Sequence, residues 1–111
     1  MLIDKELGNG ADKERWIVTI EKADNNSGLG FIVQRFEELL KQIDEENVHL
    51  SKLILDLEKL KSINSEIVAQ IVMMQSKLSR REGKMHIIAQ QKIKPTFDSL
   101  KLEGILDIEY R

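Results

Sequence analysis

Apolar positions along this chain follow two rhythms, one of strands and one of helices. "RWIVTI" (15–20) is β-branched and aromatic, which predicts a strand. "ADNNSGLG" (23–30) is a run of turn formers and predicts a loop. Ile32, Phe36, Leu39, Leu40 and Ile43 then recur at helical spacing, with Glu37, Glu38, Lys41 and Asp44 on the other side. They predict a helix over about 30–46. "KLILDL" (52–57) is apolar on both parities, which predicts an inner strand buried on both faces. Ile67, Ile71, Met74 and Leu78 return to helical spacing, and Val68 and Val72 widen the stripe. The spacing predicts a second helix over about 65–82.

The punctuation agrees with this reading. Lys77, Arg80 and Arg81 crowd the last turns of the second helix, where cations suit the helix dipole. Gly83 follows where a left-handed C-cap is expected. "KMHIIAQ" (84–90) predicts another buried strand. Pro95 fits the first turn of a short helix over about 95–103, ended by Gly104. "ILDIEY" (105–110) alternates in polarity and predicts a last strand at a sheet edge. One more short strand fits near residues 2–6.

The order β-α-β-α-β-α-β predicts an α/β fold with a largely parallel sheet. With no internal linker or repeat, residues 1–111 read as one domain. Leu53, Leu55, Leu57, Ile67, Ile71, Met74, Leu78, Ile87 and Ile88 are expected to share one core.

Composition narrows the function classes. Hydrophobic residues make up 41% and charged residues 32% of 111, which describes a soluble globular chain rather than a disordered one. A formal charge of −2 gives no electrostatic reason to expect nucleic acid or a membrane surface as partner. There is no cysteine, so disulfides and thiolate metal sites are excluded, and a reducing compartment suits the chain. No apolar run approaches the roughly 20 residues of a bilayer span, and the N-terminus lacks a signal-like apolar stretch. A cytoplasmic address is expected, without membrane insertion.

Three chemistries have candidate residues in the chain. The glycines of "NNSGLG" precede a helix and could turn N–H groups toward a phosphate. The lysine of a phosphate-binding loop is missing after Gly30, and the dinucleotide fingerprint is incomplete. A plain strand-to-helix connection is the simpler reading. His49 and His86 have no partner at metal-ligand spacing; a surface loop for His49 and a strand for His86 are expected. Ser65 begins a helix after a strand, as a hydrolase nucleophile does, but the flanking glycines are absent. No catalytic residue, cofactor or metal is assigned. For the "MM" pair, core packing is expected at least for Met74.

The join at "KSINSEIVAQIV" (61–72) is more informative. Ser62 or Asn64 can accept a hydrogen bond from the first helical turn, and Glu66 adds favourable charge. This stretch also carries a resemblance. "LILDLEKLKSINSEIVAQIV" resembles the signature of STAS domains, the fold of bacterial anti-sigma factor antagonists. Their pattern is an apolar strand ending D-L, a short link, an apolar residue, D-S and a helix. "LDL" (55–57) matches the strand end, and "INS" (63–65) matches the next element, with Asn64 in place of Asp. "REGKMHIIA" (81–89) and "KPTFDSLKLEGILDIEY" (94–110) resemble the steps that follow, so the likeness covers about residues 50–110. It departs where the family continues with small residues and glycine and this chain has Glu66-Ile67-Val68-Ala69. The family's loop after the second strand has no counterpart in "EKADNNSGLG".

The resemblance implies a small mixed sheet, mostly parallel, with helices packed mainly on one face. It implies a transcription-regulating switch rather than an enzyme. The serine matching Ser65 is phosphorylated by a partner serine kinase that is itself the anti-sigma factor, and a cognate phosphatase restores it. Asn64, Ser65 and Glu66 are then the expected partner contacts, and the chain is expected to be a monomer or weak dimer. Two alternatives stay open: a scaffold subunit of a stressosome-like or other assembly, and a ligand- or nucleotide-binding domain using residues 23–30.

Overall fold

The computed structural model of the protein describes residues 1–7, 13–22, 24, 28–45, 49–102 and 104–111. The chain runs β1 (Leu2–Leu7), β2 (Lys13–Thr19), α1 (Leu29–Glu45), β3 (His49–Leu57), α2 (Ser65–Arg80), β4 (Lys84–Ala89), a 3₁₀ turn (Gln91–Ile93), α3 (Lys94–Ser99) and β5 (Ile108–Tyr110). The result is an α/β fold on a five-stranded mixed sheet, ordered β1-β2-β3-β4-β5. β1 lies antiparallel to β2, and every later pair is parallel.

Strand order equals chain order, and that decides where the helices go. Each parallel step needs a right-handed crossover in the same direction, so α1, α2 and α3 all land on one side. The side chains divide accordingly. Trp16, Val18, Leu53, Leu55, Leu57, Met85, Ile87 and Ala89 are buried beneath the helices. They pack with Ile32, Phe36, Leu39 and Ile43 of α1, and with Ile67, Ile71, Met74 and Leu78 of α2, as one core cluster. Phe97 of α3 closes it.

None of the described helices covers the opposite face. Its residues Ile17, Ile54, His86 and Ile88 are only half-buried. This corrects two expectations. β3 is not buried on both faces, because a sheet wound in one direction covers only one. Ile88, expected in the core, points to the open side, while the other eight expected core residues all belong to the cluster.

β3 starts three residues before the predicted strand. Between Glu14 and Arg15 the β2–β3 register shifts, so that β3 carries one extra residue, Ser51. Its hydroxyl donates to the Glu14 carbonyl at 3.0 Å. The bulge lets Leu50 and Leu53, three apart, both reach the core.

The C-terminal end of α2 also differs from expectation. The left-handed residue is Glu82, at φ 60, not Gly83. Glu82 N–H donates to Ser79 O at 3.2 Å and Gly83 N–H to Leu78 O at 2.7 Å, the paired bonds of a Schellman ending. Gly83 is needed for another reason. A Cβ there would stand 2.5 Å from the Leu50 carbonyl oxygen of β3. α1 and α2 are tied at the same end: Lys77 pairs with Asp44 at 2.8 Å, and Arg81 donates to Ile43 O at 2.7 Å. Gln70, buried between the helices, donates to Val33 O at 3.1 Å.

α3 is shorter than predicted. It ends at Ser99, with Lys101 at φ 54, and Gly104 at φ 87 belongs to the turns beyond. None of the described helices is long and apolar enough to cross a membrane.

Candidate functional site

The site suggested by the sequence lies where β3 hands over to α2. β3 ends at Leu57 and the chain turns at once, with Leu60 N–H bonding to Leu57 O at 2.9 Å. The Asp56 carboxylate supports the turn by accepting the Glu58 N–H at 3.0 Å. Leu60 is fully buried and Ile63 packs against the core, so the loop is pinned from below at two points. It is also held from the side. The Gln90 amide donates to the Glu58 carbonyl, and Arg111 pairs with the Glu58 carboxylate at 3.0 Å. These ties join the loop to the ends of β4 and β5. They were invisible in sequence, because 32 and 53 positions separate the partners.

Asn64 is the N-cap. Its backbone is extended (φ −121, ψ 171), and its Oδ1 accepts the Ile67 N–H at 2.8 Å. Its carbonyl accepts the Val68 N–H at 3.1 Å, which fixes the first helical bond. Ile63 and Val68 occupy the positions of a hydrophobic staple around it. Ser62 is exposed and outside the cap. Ser65 is therefore the first residue of the helix proper, and Glu66 the second; both are exposed. The Ser65 hydroxyl makes no hydrogen bond to the described residues. A helix leaves its first N–H groups without helical acceptors, so Ser65 and Glu66 present theirs outward at the positive end of the dipole.

Asn64, Ser65 and Glu66 thus form one corner on a fixed loop, with Asn64 half-buried and Ser65 and Glu66 exposed. His86, the histidine whose side chain is described, does not reach it. His86 stands on the open face of the sheet, away from α2, with Nδ1 at 2.9 Å from Asp107 and Nε2 at 3.4 Å from Glu109. Hydrogen bonds from Arg111 and then His86 hold the Glu109 carboxyl below its usual range. Those contacts pair the His86 ring as expected for a strand histidine. Among the described residues, no group of three or more His, Asp or Glu is placed to hold a metal ion. His49 opens β3 rather than lying in a loop; its side chain lies outside what is described. Met74 is fully buried and Met73 is 51% exposed.

Of the 23–30 loop, Ala23, Asn25, Asn26 and Ser27 lie outside the described residues. Gly28 has φ 93 and precedes α1. Nearby, Asp24 is buried and accepts from the Met1 ammonium at 2.6 Å and the Glu21 N–H at 2.8 Å. Burial pushes its carboxyl up, but these donors and the Arg35 charge outweigh that and hold it below its usual value. The strand order does not reverse anywhere among β2–β5, so the sheet has no switch-point crevice of the kind that takes nucleotides in doubly wound folds. The described groove, about 380 Å³, is lined by Gln75, Lys84, Met85 and residues 104–107, at the other end of the strands from Ser65.

No family model, curated protein or solved structure matches the chain.

Proposed function

We propose that this chain is a cytoplasmic regulatory domain that acts by protein–protein contact at the α2 corner and is switched by phosphorylation of Ser65. The reading takes its partner from the STAS resemblance: a serine kinase that doubles as an anti-sigma factor, with a phosphatase to reset the switch. One observation carries it. Asn64 does the capping, so the exposed Ser65 hydroxyl at the first helical position has no structural duty. A phosphate there adds about −1.5 to −2 charges, which the helix N-terminus tolerates. A partner packed on the same corner meets that bulk and charge beside Glu66.

The first test is phosphate mapping by mass spectrometry on the protein isolated from its own cells. The second is partner capture with Ser65→Ala and Ser65→Asp. Both variants should melt within about 1 kcal/mol of wild type, because the cap is untouched. Ser65→Ala should keep its partner, and Ser65→Asp should bind at least about tenfold more weakly, near 1.4 kcal/mol. Phosphate found only elsewhere, or equal binding by both variants, would sink the switch. The scaffold reading draws on a different observation, the open sheet face. A native mass showing a large assembly in place of a one-to-one complex would favour it.

A further inference from the structure

We propose that the open face of the sheet is a self-complementary interface that seats a second copy of this chain. The inference does not depend on the role of Ser65, which stands on the helix side.

The face is organised in rows by the strand register. Arg15, Lys52 and Lys84 stand side by side at one end, on β2, β3 and β4. Arg15 is paired with Glu6 of β1 at 2.6 Å. Lys52 and Lys84 are exposed and make no ion pair with the described residues. Like charges directly opposed on neighbouring strands destabilise a sheet, so this pair favours an anionic neighbour from outside. The next row along is Asp4, Ile17, Ile54 and His86, and the one after is Leu2, Thr19, Asp56, Ile88 and Glu109. Glu58 extends the acidic end, partly offset by Arg111. The face therefore runs from a cationic end to an acidic one, with half-buried Ile17 and Ile54 at the centre between Asp4 on one side and the His86–Asp107 pair on the other. Leu2, 57% exposed, adds apolar surface at its edge.

That gradient selects the occupant. Two sheets pack face to face at about 10 Å, with strands within about 30° of alignment. A two-fold axis between the sheets, at right angles to the strands, reverses strand direction. It sets Ile54 against the second copy's Ile54 and Lys52 against the second copy's Asp56. Lys84 meets the acidic end near Glu109. A uniformly acidic or basic partner would satisfy one end and oppose the other; a second copy satisfies both. Five strands about 4.8 Å apart and five residues of about 3.3 Å give a patch of roughly 400 Å² per copy. That is below the size of stable complexes, so the dimer should be weak and reversible.

Sedimentation equilibrium of the full chain tests this. Wild type should dimerise reversibly below about 1 mM, and weaken about tenfold or more as salt screens the end rows. Lys52→Glu/Lys84→Glu should be monomeric with an unchanged melt. Glu58→Lys/Glu109→Lys, which leaves Asp56 supporting its turn, should also be monomeric. Mixed, the two variants should associate more tightly than either alone. Wild type that stays monomeric at about 1 mM overturns the proposal, whether or not it binds anionic vesicles or another protein through the lysines. So does dimerisation unaffected by the lysine reversals, or a mixture that does not associate.

Discussion

Ile87 and Ile88 are neighbours in β4 with identical side chains, yet one is fully buried and the other half-exposed. Leu55 and Ile54 repeat the contrast one strand away. Ile87 and Leu55 belong to the core packed under the helix layer; Ile88 and Ile54 lie on the face that none of the described helices covers. The difference comes from the crossovers. Parallel steps that advance in one direction place every helix on the same side, whatever the other side carries. Apolar residues on the uncovered face therefore contribute little to the monomer's core. They remain available to contacts with other molecules.

The largest effects should come from the covered side. Ile87→Ala should cost about 2–5 kcal/mol, as a cavity in a close-packed core, and Ile71→Ala the same from the helix opposite. Ile88→Ala, measured at micromolar protein in the same urea melts, should cost less than about 1 kcal/mol. Equal losses at Ile87 and Ile88 would mean that the two faces are not different in kind. A smaller effect probes how closely the helix layer sits on the strands. Gly83→Ala pushes a methyl group into the Leu50 carbonyl, and backbone must move to admit it. A loss of about 1–3 kcal/mol is expected, and a neutral result would show that the end of α2 has slack. The smallest change is a gain. Glu82→Gly relieves a left-handed non-glycine residue and should stabilise by about 0.5–1 kcal/mol in thermal melts.

Much of the fold was legible because each element announced itself locally. The helix stripes from Ile32 to Ile43 and from Ile67 to Leu78 gave both long helices to within two residues. The face divisions were not legible. "KLILDL" reads the same whether one side or both are covered, since Ile54 is apolar in either case. The start of β3 was hidden because the bulge at Ser51 breaks the alternation that marks a strand. At Gly83 the glycine was visible, but its purpose was set by a carbonyl 33 positions earlier. At the α2 corner, the sequence offered Ser62 and Asn64 as capping candidates. The choice of Asn64 depends on which residue turns extended before the first helical bond. That is a backbone property, and no single residue type dictates it. Glu58, Gln90 and Arg111, which brace the corner, are far apart in the chain and carried no signal.

A strand order that matches the chain order has a consequence for synthesis. From β1 to β5, each new strand docks on the exposed edge left by the one before it. No strand has to be inserted between two that are already paired. The ribosome thus delivers the sheet in the order in which it can be assembled, and only the newest edge waits for its neighbour. The last strand to arrive is the shortest, three residues from Ile108 to Tyr110, and so the finished sheet closes its growing side with little edge left to extend.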